Sequence, residues 1–198
     1  MVQVYLAEIP EEERGPKEQT KWAHRLLEES LKRQYPKLHK PVLVERDSRG
    51  KPYLLEYPEI HINLSHSGGY VACAIGEKPV GVDIEYHRSR KKRELVVKKF
   101  HPKEQALYWA ASRAERELLF YELWVLKESF IKADGFGLGI PLDSFYMEET
   151  GKETGKVVQS RDGESYFYKL YRIKDRGFSL GACSQEKDFS EKPIWLKL

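Results

Sequence analysis

Three carboxylates and one lysine in this chain have the types and spacing for metal-assisted phosphate chemistry. Asp83 and Glu85 stand two apart in Gly81-Val82-Asp83-Ile84-Glu85. Two residues at that spacing on a strand point the same way. Burying a carboxylate costs several kcal/mol unless something pairs with it. Two like charges ~4 Å apart also repel by about 4 kcal/mol at an effective dielectric of about 20. A divalent cation removes both penalties, and an edge strand with its polar face in water removes them equally well. Glu128 and Lys132 follow in Trp124-Val125-Leu126-Lys127-Glu128-Ser129-Phe130-Ile131-Lys132-Ala133. At helical spacing, Trp124, Glu128 and Lys132 share a stripe apart from the apolar face of Leu119, Leu123, Leu126 and Phe130. Their plainest role is a surface i, i+4 ion pair worth roughly 0.3–0.5 kcal/mol, with Trp124 a packing residue.

Other polar signals accompany them. Ser65-His66-Ser67 offers hydroxyls and an imidazole where an alternating segment ends. Adjacent residues do not face each other as a nucleophile and its base, and no G-x-S-x-G elbow surrounds Ser65. Hydrogen bonding to phosphate suits them better, and an ordinary turn with a surface histidine is the simpler alternative. Lys51, in Gly50-Lys51-Pro52, can act as a point charge on a phosphate, although the P-loop spacing is absent. Gly135, Gly137 and Gly139 alternate after Lys132, so backbone there can approach another surface closely; Gly135 suits a helix C-cap.

The elements that must position these residues follow from periodicity. Residues 2–9 read as a strand, and 17–34 as a helix with Trp22, Leu26, Leu27 and Leu31 on one face, closed by Pro36. Short strands are expected at 42–44 and 53–55 around the turn Asp47-Ser48-Arg49-Gly50. Residues 60–64 alternate as a half-buried strand and run into a polar glycine turn from Ser65 to Gly69. Strands at 70–75 and 80–85 come next, and on the latter Val80, Val82 and Ile84 face away from Gly81, Asp83 and Glu85. Pro102 opens a helical stretch that breaks near 111–113 and ends at about residue 133. Strands at 145–148, 157–159, 166–172 and 178–184 complete the chain. The order suggests two α+β halves of similar plan, residues 1–80 and 81–198, the second carrying the acidic motifs. Gly69-Tyr70-Val71-Ala72-Cys73 faintly echoes Gly177-Phe178-Ser179-Leu180-Gly181-Ala182-Cys183.

Composition bounds the function. The chain has 198 residues, 33% charged and 40% hydrophobic, which suits a globular protein. Its net charge of +3 is too small for wholesale nucleic-acid binding, although Arg88-Ser89-Arg90-Lys91-Lys92-Arg93 could attract an anionic partner locally. No secretory signal or membrane-length apolar run is evident, so a cytoplasmic protein without membrane attachment is expected. Cys73 and Cys183 read as small buried hydrophobes, not as a disulfide framework or zinc site.

Taken in order, Gly50-Lys51-Pro52, Asn63-Leu64-Ser65-His66-Ser67, Gly81-Val82-Asp83-Ile84-Glu85 and the Trp124–Ala133 segment resemble the 4′-phosphopantetheinyl transferases of the Sfp type. Phe100-His101-Pro102-Lys103-Glu104 and Leu138-Gly139-Ile140-Pro141-Leu142-Asp143-Ser144-Phe145 extend the likeness, which runs from about residue 20 to residue 183. The resemblance implies an α+β fold of two similar halves related by a pseudo-twofold, with coenzyme A bound at their junction. It implies that Asp83, Glu85 and Glu128 hold Mg²⁺ and that Glu128 and Lys132 act in catalysis. Glu128, or a water on the metal, would take the proton of a carrier-protein serine as it attacks the β-phosphate of coenzyme A. Lys132 would meet the pyrophosphate or the departing 3′,5′-ADP. Lys51, Ser65, His66 and Lys127 would also bind coenzyme A. The family's early basic residues, which grip the nucleotide 3′-phosphate, have no clear match here; Thr20 and Lys17, with Arg14 or Lys21, are the available substitutes. Partners would be acidic acyl or peptidyl carrier proteins docking beside the basic run, with a monomer as the working unit. The competing readings are a different Mg²⁺-dependent phosphotransferase or nuclease, and a non-catalytic binding protein using the basic run.

Overall fold

The computed structural model describes residues 1–39, 42–88, 92–173 and 176–198. Its first part comprises β1 (Gln3–Glu8), α1 (Pro16–Gln34), β2 (Val44–Arg46), β3 (Pro52–Leu54), β4 (His61–Ser67) and β5 (Tyr70–Gly76). The second comprises β6 (Val80–Tyr86), α2 (Arg93–Val97), α3 (Pro102–Ala110), α4 (Arg116–Asp134), β7 (Tyr146–Gly151), β8 (Thr154–Val158), β9 (Tyr166–Tyr171), β10 (Phe178–Ser184) and β11 (Ile194–Trp195).

Two sheets form, in the orders β11-β1-β5-β4 and β6-β10-β9-β8-β7, beside the small hairpin β2-β3. The plan repeats. In each sheet the opening strand pairs antiparallel with the last strand of a hairpin, β1 with β5 and β6 with β10. The hairpin partners β4 and β9 then lie outside β5 and β10. The faint sequence echo falls on β5 and β10, and each of these strands turns its cysteine into the core under its own helix, Cys73 with α1 and Cys183 with α4.

Three apolar layers stack accordingly. Trp22, Leu26, Leu27 and Leu31 of α1 cover one face of the first sheet. Val4, Leu6, Ala72 and Ala74 on its other face meet Val82, Ile84, Leu180 and Ala182 of the second sheet. Val125, Phe130 and Ile131 of α4 cover the far face of the second sheet. Strand β6, at the edge of its sheet, is therefore sandwiched, and its acidic face lies under α4 and not in open water. The helix comes very close: a Cβ on Gly81 would lie 2.0 Å from Ser129 O, and one on Gly181 would lie 3.1 Å from Val125 O. Glycine is needed at Gly81, and at Gly181 any side chain would press tightly on the helix.

Several boundaries depart from the sequence reading, among them β2, expected at 42–44 and found at Val44–Arg46, β8, expected at 157–159 and found at Thr154–Val158, and the short helix α2 ahead of Pro102. Strand β4 continues through Ser67, and the turn is confined to Gly68 and Gly69, both at positive φ. The helical break spans the residues between Ala110 and Arg116, longer than expected. The chain end supplies β11, parallel to β1, with Tyr5 opposite Ile194; two paired residues are too few for any periodicity to announce them.

Candidate functional site

Strands β4 and β6 edge their respective sheets and lie beside each other without a backbone ladder. Side chains replace it. Asn63 Oδ1 accepts the N–H of Val82 at 2.9 Å, Ser65 Oγ that of Ile84 at 3.4 Å, and Ser67 Oγ that of Tyr86 at 3.1 Å. Strand period two thus places an acceptor opposite every second amide of an edge whose N–H groups would otherwise be unpaired. The same hydroxyls reach the acidic face: Ser65 Oγ donates to Asp83 Oδ1 at 2.9 Å, and Ser67 Oγ to Glu85 Oε2 at 3.1 Å.

Helix α4 adds Lys132 and Glu128. The Lys132 ammonium donates to Asp83 Oδ1 at 2.7 Å, Ser65 Oγ at 3.0 Å and Val82 O at 3.1 Å. Lys132 is thus paired with Asp83 of the strand beneath its helix, and not along the helix with Glu128; its bond to Ser65 is the one that crosses the seam. The Glu128 carboxyl is raised above its ordinary range by burial first and by the Asp83 charge next; Lys132 opposes the rise and Glu85 adds to it. Glu128 therefore shares one electrostatic field with both strand carboxylates. Asp83 is buried, and its second oxygen, Oδ2, has no hydrogen-bond partner among the described residues.

These features fit a hard divalent cation. All the donors are carboxylate oxygens, one of them is buried and unpartnered, and the third carboxyl is disfavoured as an anion by the other two. In this structure, among the described residues, no three acid, imidazole or thiol groups converge closely enough to form a ready ligand shell; the nearest cation to Asp83 is the Lys132 ammonium.

Beside Lys132 a cleft of about 240 Å³ opens between the β2–β3 hairpin, β4 and the end of α4, lined by Arg46, Arg49, Lys51, Asn63, Lys132 and Gly135 among others. Four cationic side chains face one small cavity, which suits a polyanion. Lys51 also closes α4: its ammonium bonds Ala133 O, and its stem packs where Gly135 has no side chain. Burial lowers the Lys51 pKa. Gly135 ends α4 in the left-handed conformation at φ 82°, as its place after the helix leads one to expect. His66 is exposed near Lys132, and its imidazole is held below its ordinary value by desolvation first and the Lys132 charge second.

Several expected site residues stand elsewhere. Lys127 is fully buried, bonded to Glu104 at 2.7 Å, Leu142 O at 2.8 Å and Phe145 O at 2.9 Å. It cannot reach a ligand, because the residue before Glu128 projects about 100° away around the helix. The Ser65 hydroxyl is engaged within the protein, donating to Asp83 and accepting from Lys132 and Ile84, so it would have to exchange a partner to meet a phosphate. Thr20 and Lys17 are exposed on α1, outside the lining of the cleft. Lys21 pairs with Glu18, and Arg14 bonds Ile9 O and Glu8. Trp124 packs, stacking near Phe100 and Phe120. Sequence reasoning missed Arg46, Arg49, Asn63 and Glu104. The turn signal at Asp47–Gly50, which would fold Arg46 and Arg49 back beside Lys51, could have exposed the first two.

The site is thus an acid–lysine cluster on the seam between two α+β halves, opening on a basic cleft. The pattern described as the 4′-phosphopantetheinyl transferase superfamily matches residues 79–183. The 4′-phosphopantetheinyl transferase Sfp of Bacillus subtilis (strain 168) is 35% identical over 169 residues, 84% of this chain and 73% of that protein. A second 4′-phosphopantetheinyl transferase of Bacillus subtilis is 38% identical over 144 residues, 72% of this chain and 62% of its own length. The crystal structure of the Thermotoga maritima holo-[acyl-carrier-protein] synthase shows a partial likeness, with TM-score 0.45 and 21% identity over 56% of this chain and 64% of that one. This chain belongs to the 4′-phosphopantetheinyl transferase superfamily, and within it to the Sfp type.

Proposed function

We propose that this protein transfers the 4′-phosphopantetheine arm of coenzyme A to a serine hydroxyl of an acyl or peptidyl carrier protein, releasing 3′,5′-ADP, with Mg²⁺ held by Asp83, Glu85 and Glu128. The observation that carries the reading is the buried, unpartnered Asp83 Oδ2 on a carboxylate cluster that borders a cleft of four cations. A bound Mg²⁺ would polarise the pyrophosphate and offset charge on the leaving group.

The protein's own groups do the rest. Lys132, Lys51, Arg46 and Arg49 receive the phosphates of coenzyme A, with His66 at the edge. The carrier serine oxygen attacks the β-phosphorus; the bond to the oxygen of 3′,5′-ADP breaks and that oxygen takes the electron pair. Glu128, or a water on the metal, would take the serine proton. All three Lys132 N–H groups already have partners, so it would exchange one for a phosphate oxygen as charge grows there.

The first and second halves, divided at about residue 80, each supply one wall of the cleft, which supports a monomer as the working unit. An acidic carrier would dock beside the basic run. Residues 89–91 of that run lie outside the described residues; Arg88 is exposed, and Arg93 pairs with Glu117 at 2.7 Å. Among the described residues no helix is long and apolar enough to cross a membrane, in keeping with a cytoplasmic setting.

Mass spectrometry of an apo carrier incubated with the protein, coenzyme A and Mg²⁺ tests the reading. The expected result is a gain of one phosphopantetheine that is lost with EDTA and with Asp83→Ala. No gain on fatty-acid, polyketide or peptide carriers would overturn it.

A further inference from the structure

We infer that the buried Glu104–Lys127 ion pair is a positioning device: it sets the rotation of α4 about its own axis, and so the direction in which Glu128 and Lys132 point. The inference rests on the function proposed above for those two residues.

Helix α4 has no single apolar stripe to orient it. Phe120, Tyr121, Leu123, Val125, Leu126, Phe130 and Ile131 are all buried, and they lie around most of its circumference. Apolar contact is non-directional, so a helix buried nearly all round can pack at more than one rotation. The two glycine contacts, at Gly81 and Gly181, set how near α4 lies to its sheet and leave its rotation open. Directional bonds are needed for that; Tyr121 with Arg88, Glu122 with Arg172 and Lys132 with Asp83 make some at partly buried positions, and those of Lys127 are the fully buried ones.

Lys127 supplies three. Its ammonium reaches Glu104 Oε2, Leu142 O and Phe145 O, all within 2.9 Å. Glu104 is anchored in turn. Its Oε1 accepts the N–H of Met147 at 3.1 Å, and its Oε2 that of His101 at 3.3 Å, closing the capping box of α3. The side chains of Lys127 and Glu104 are 0% and 1% exposed. Every strong donor and acceptor of the pair is met, and together they join α3, α4 and the approach to β7. Such a pair adds little net stability over apolar residues of equal volume, because desolvation offsets attraction. What it adds is geometry. The next side chain, Glu128, leaves the helix about 100° further round, and Ser129, against Gly81, about 200° round, on the opposite side. Fixing Lys127 therefore fixes Glu128 towards Asp83 and Glu85.

The test is the double substitution Glu104→Leu/Lys127→Met, which keeps volume and removes the directional bonds of this pair while leaving those of Tyr121, Glu122 and Lys132. The fold should survive with a lowered melting temperature, because the Met147 N–H and the Leu142 and Phe145 carbonyls lose their partners. Turnover should fall about 10- to 100-fold in kcat, the penalty of an ångström-scale misplacement, while KM for coenzyme A stays within about twofold. Independently of turnover, the backbone amide resonances of Gly81 and Asp83, across α4 from the pair, should shift. Should the double variant not fold, Glu104→Gln keeps the size and one acceptor, and the same kcat-against-KM split and amide shifts are expected at smaller amplitude. Folded variants with unchanged kcat and unchanged Gly81 and Asp83 resonances would overturn the inference. A wild-type protein that transfers nothing would instead overturn the proposed function, and the amide resonances would still decide the positioning role.

Discussion

Asn63 Oδ1 accepts the N–H of Val82 at 2.9 Å, deep in the seam between the two sheets. This bond holds the strand that carries Asp83 in register with the strand that carries Ser65. Asn63→Leu keeps the bulk and strands a buried amide, so it should cost about 1–3 kcal/mol. Ser67→Ala, at the exposed end of the same row, leaves the Tyr86 amide open to water and should cost less than about 1 kcal/mol. Urea denaturation of the two variants checks the order. Equal small losses would mean that water reaches Val82 and that the seam is looser than the packing indicates.

The acidic strand was legible because alternation needs only a few residues. Val80, Val82 and Ile84 against Gly81, Asp83 and Glu85 are sorted onto two faces as expected, and Gly81 then shows why: α4 lies where its side chain would be. The wet-edge alternative failed because α4 covers that face, a tertiary fact with no local signal. Lys127 misled for a related reason. A lysine beside Glu128 in sequence is about a quarter-turn away in space, and its burial depends on Glu104, more than twenty positions earlier. The serines of β4 suggested a turn because Ser and Gly favour turns. They are in a strand because their backbone pairs with Tyr70–Ala72 of β5 up to the tight Gly68–Gly69 turn, and their side chains then serve the β6 edge, a partner in the other half of the chain.

Glu128 carries a stability cost. Its pKa is raised in the folded state, so the protein binds that proton more tightly folded than unfolded. Ionisation therefore destabilises the fold: the penalty is absent below the unfolded value of about 4.3, grows as pH rises from there through the folded value, and is complete above it. Glu128→Gln should raise the melting temperature of the metal-free protein at neutral pH, with the gain vanishing near pH ~4. It should nearly abolish transfer. A melting temperature lowered at both pH values would mean that Glu128 is paired well and not strained.

Lys132 should matter most when charge has moved. Its ammonium contacts Asp83 at 2.7 Å on the border of the cleft, where the proposed reaction would gather negative charge on the leaving 3′,5′-ADP. Lys132→Ala is expected to lower kcat by about 100-fold, the order found for loss of one transition-state donor, and to raise the dissociation constant of coenzyme A only a few fold. Single-turnover transfer alongside calorimetric binding separates the two. A change confined to binding would make Lys132 a ground-state clamp. Because removing it also leaves Asp83 without its cation, Lys132→Arg is the useful companion, and partial recovery is expected.

Arg49 tests whether the hairpin is part of the ligand site. It is exposed, lines the cleft with Arg46 and Lys51, and has its guanidinium 4.6 Å from the Phe136 ring centroid. Arg46 is the less clean probe, because it also bonds Gly50 O at 2.7 Å and so holds the turn. Arg49 makes its turn contact through its backbone, whose N–H meets Asp47 at 2.8 Å, so its side chain can be removed without opening the hairpin. A charged hydrogen bond to phosphate is worth about 1.5–3 kcal/mol, and exposure reduces that. Arg49→Ala should therefore weaken coenzyme A binding about 3- to 10-fold at ~0.05 M salt, and by less at ~0.5 M, where the Debye length is well below 10 Å. If Arg49 meets the nucleotide of the proposed substrate and not the reacting phosphorus, kcat should hold, and 3′,5′-ADP should lose as much affinity as coenzyme A. Calorimetry with both ligands at the two salt concentrations measures all of this. Unchanged affinity at low salt would confine the ligand to the Lys51 and Lys132 end of the cleft and leave Arg49 a partner of Phe136 alone.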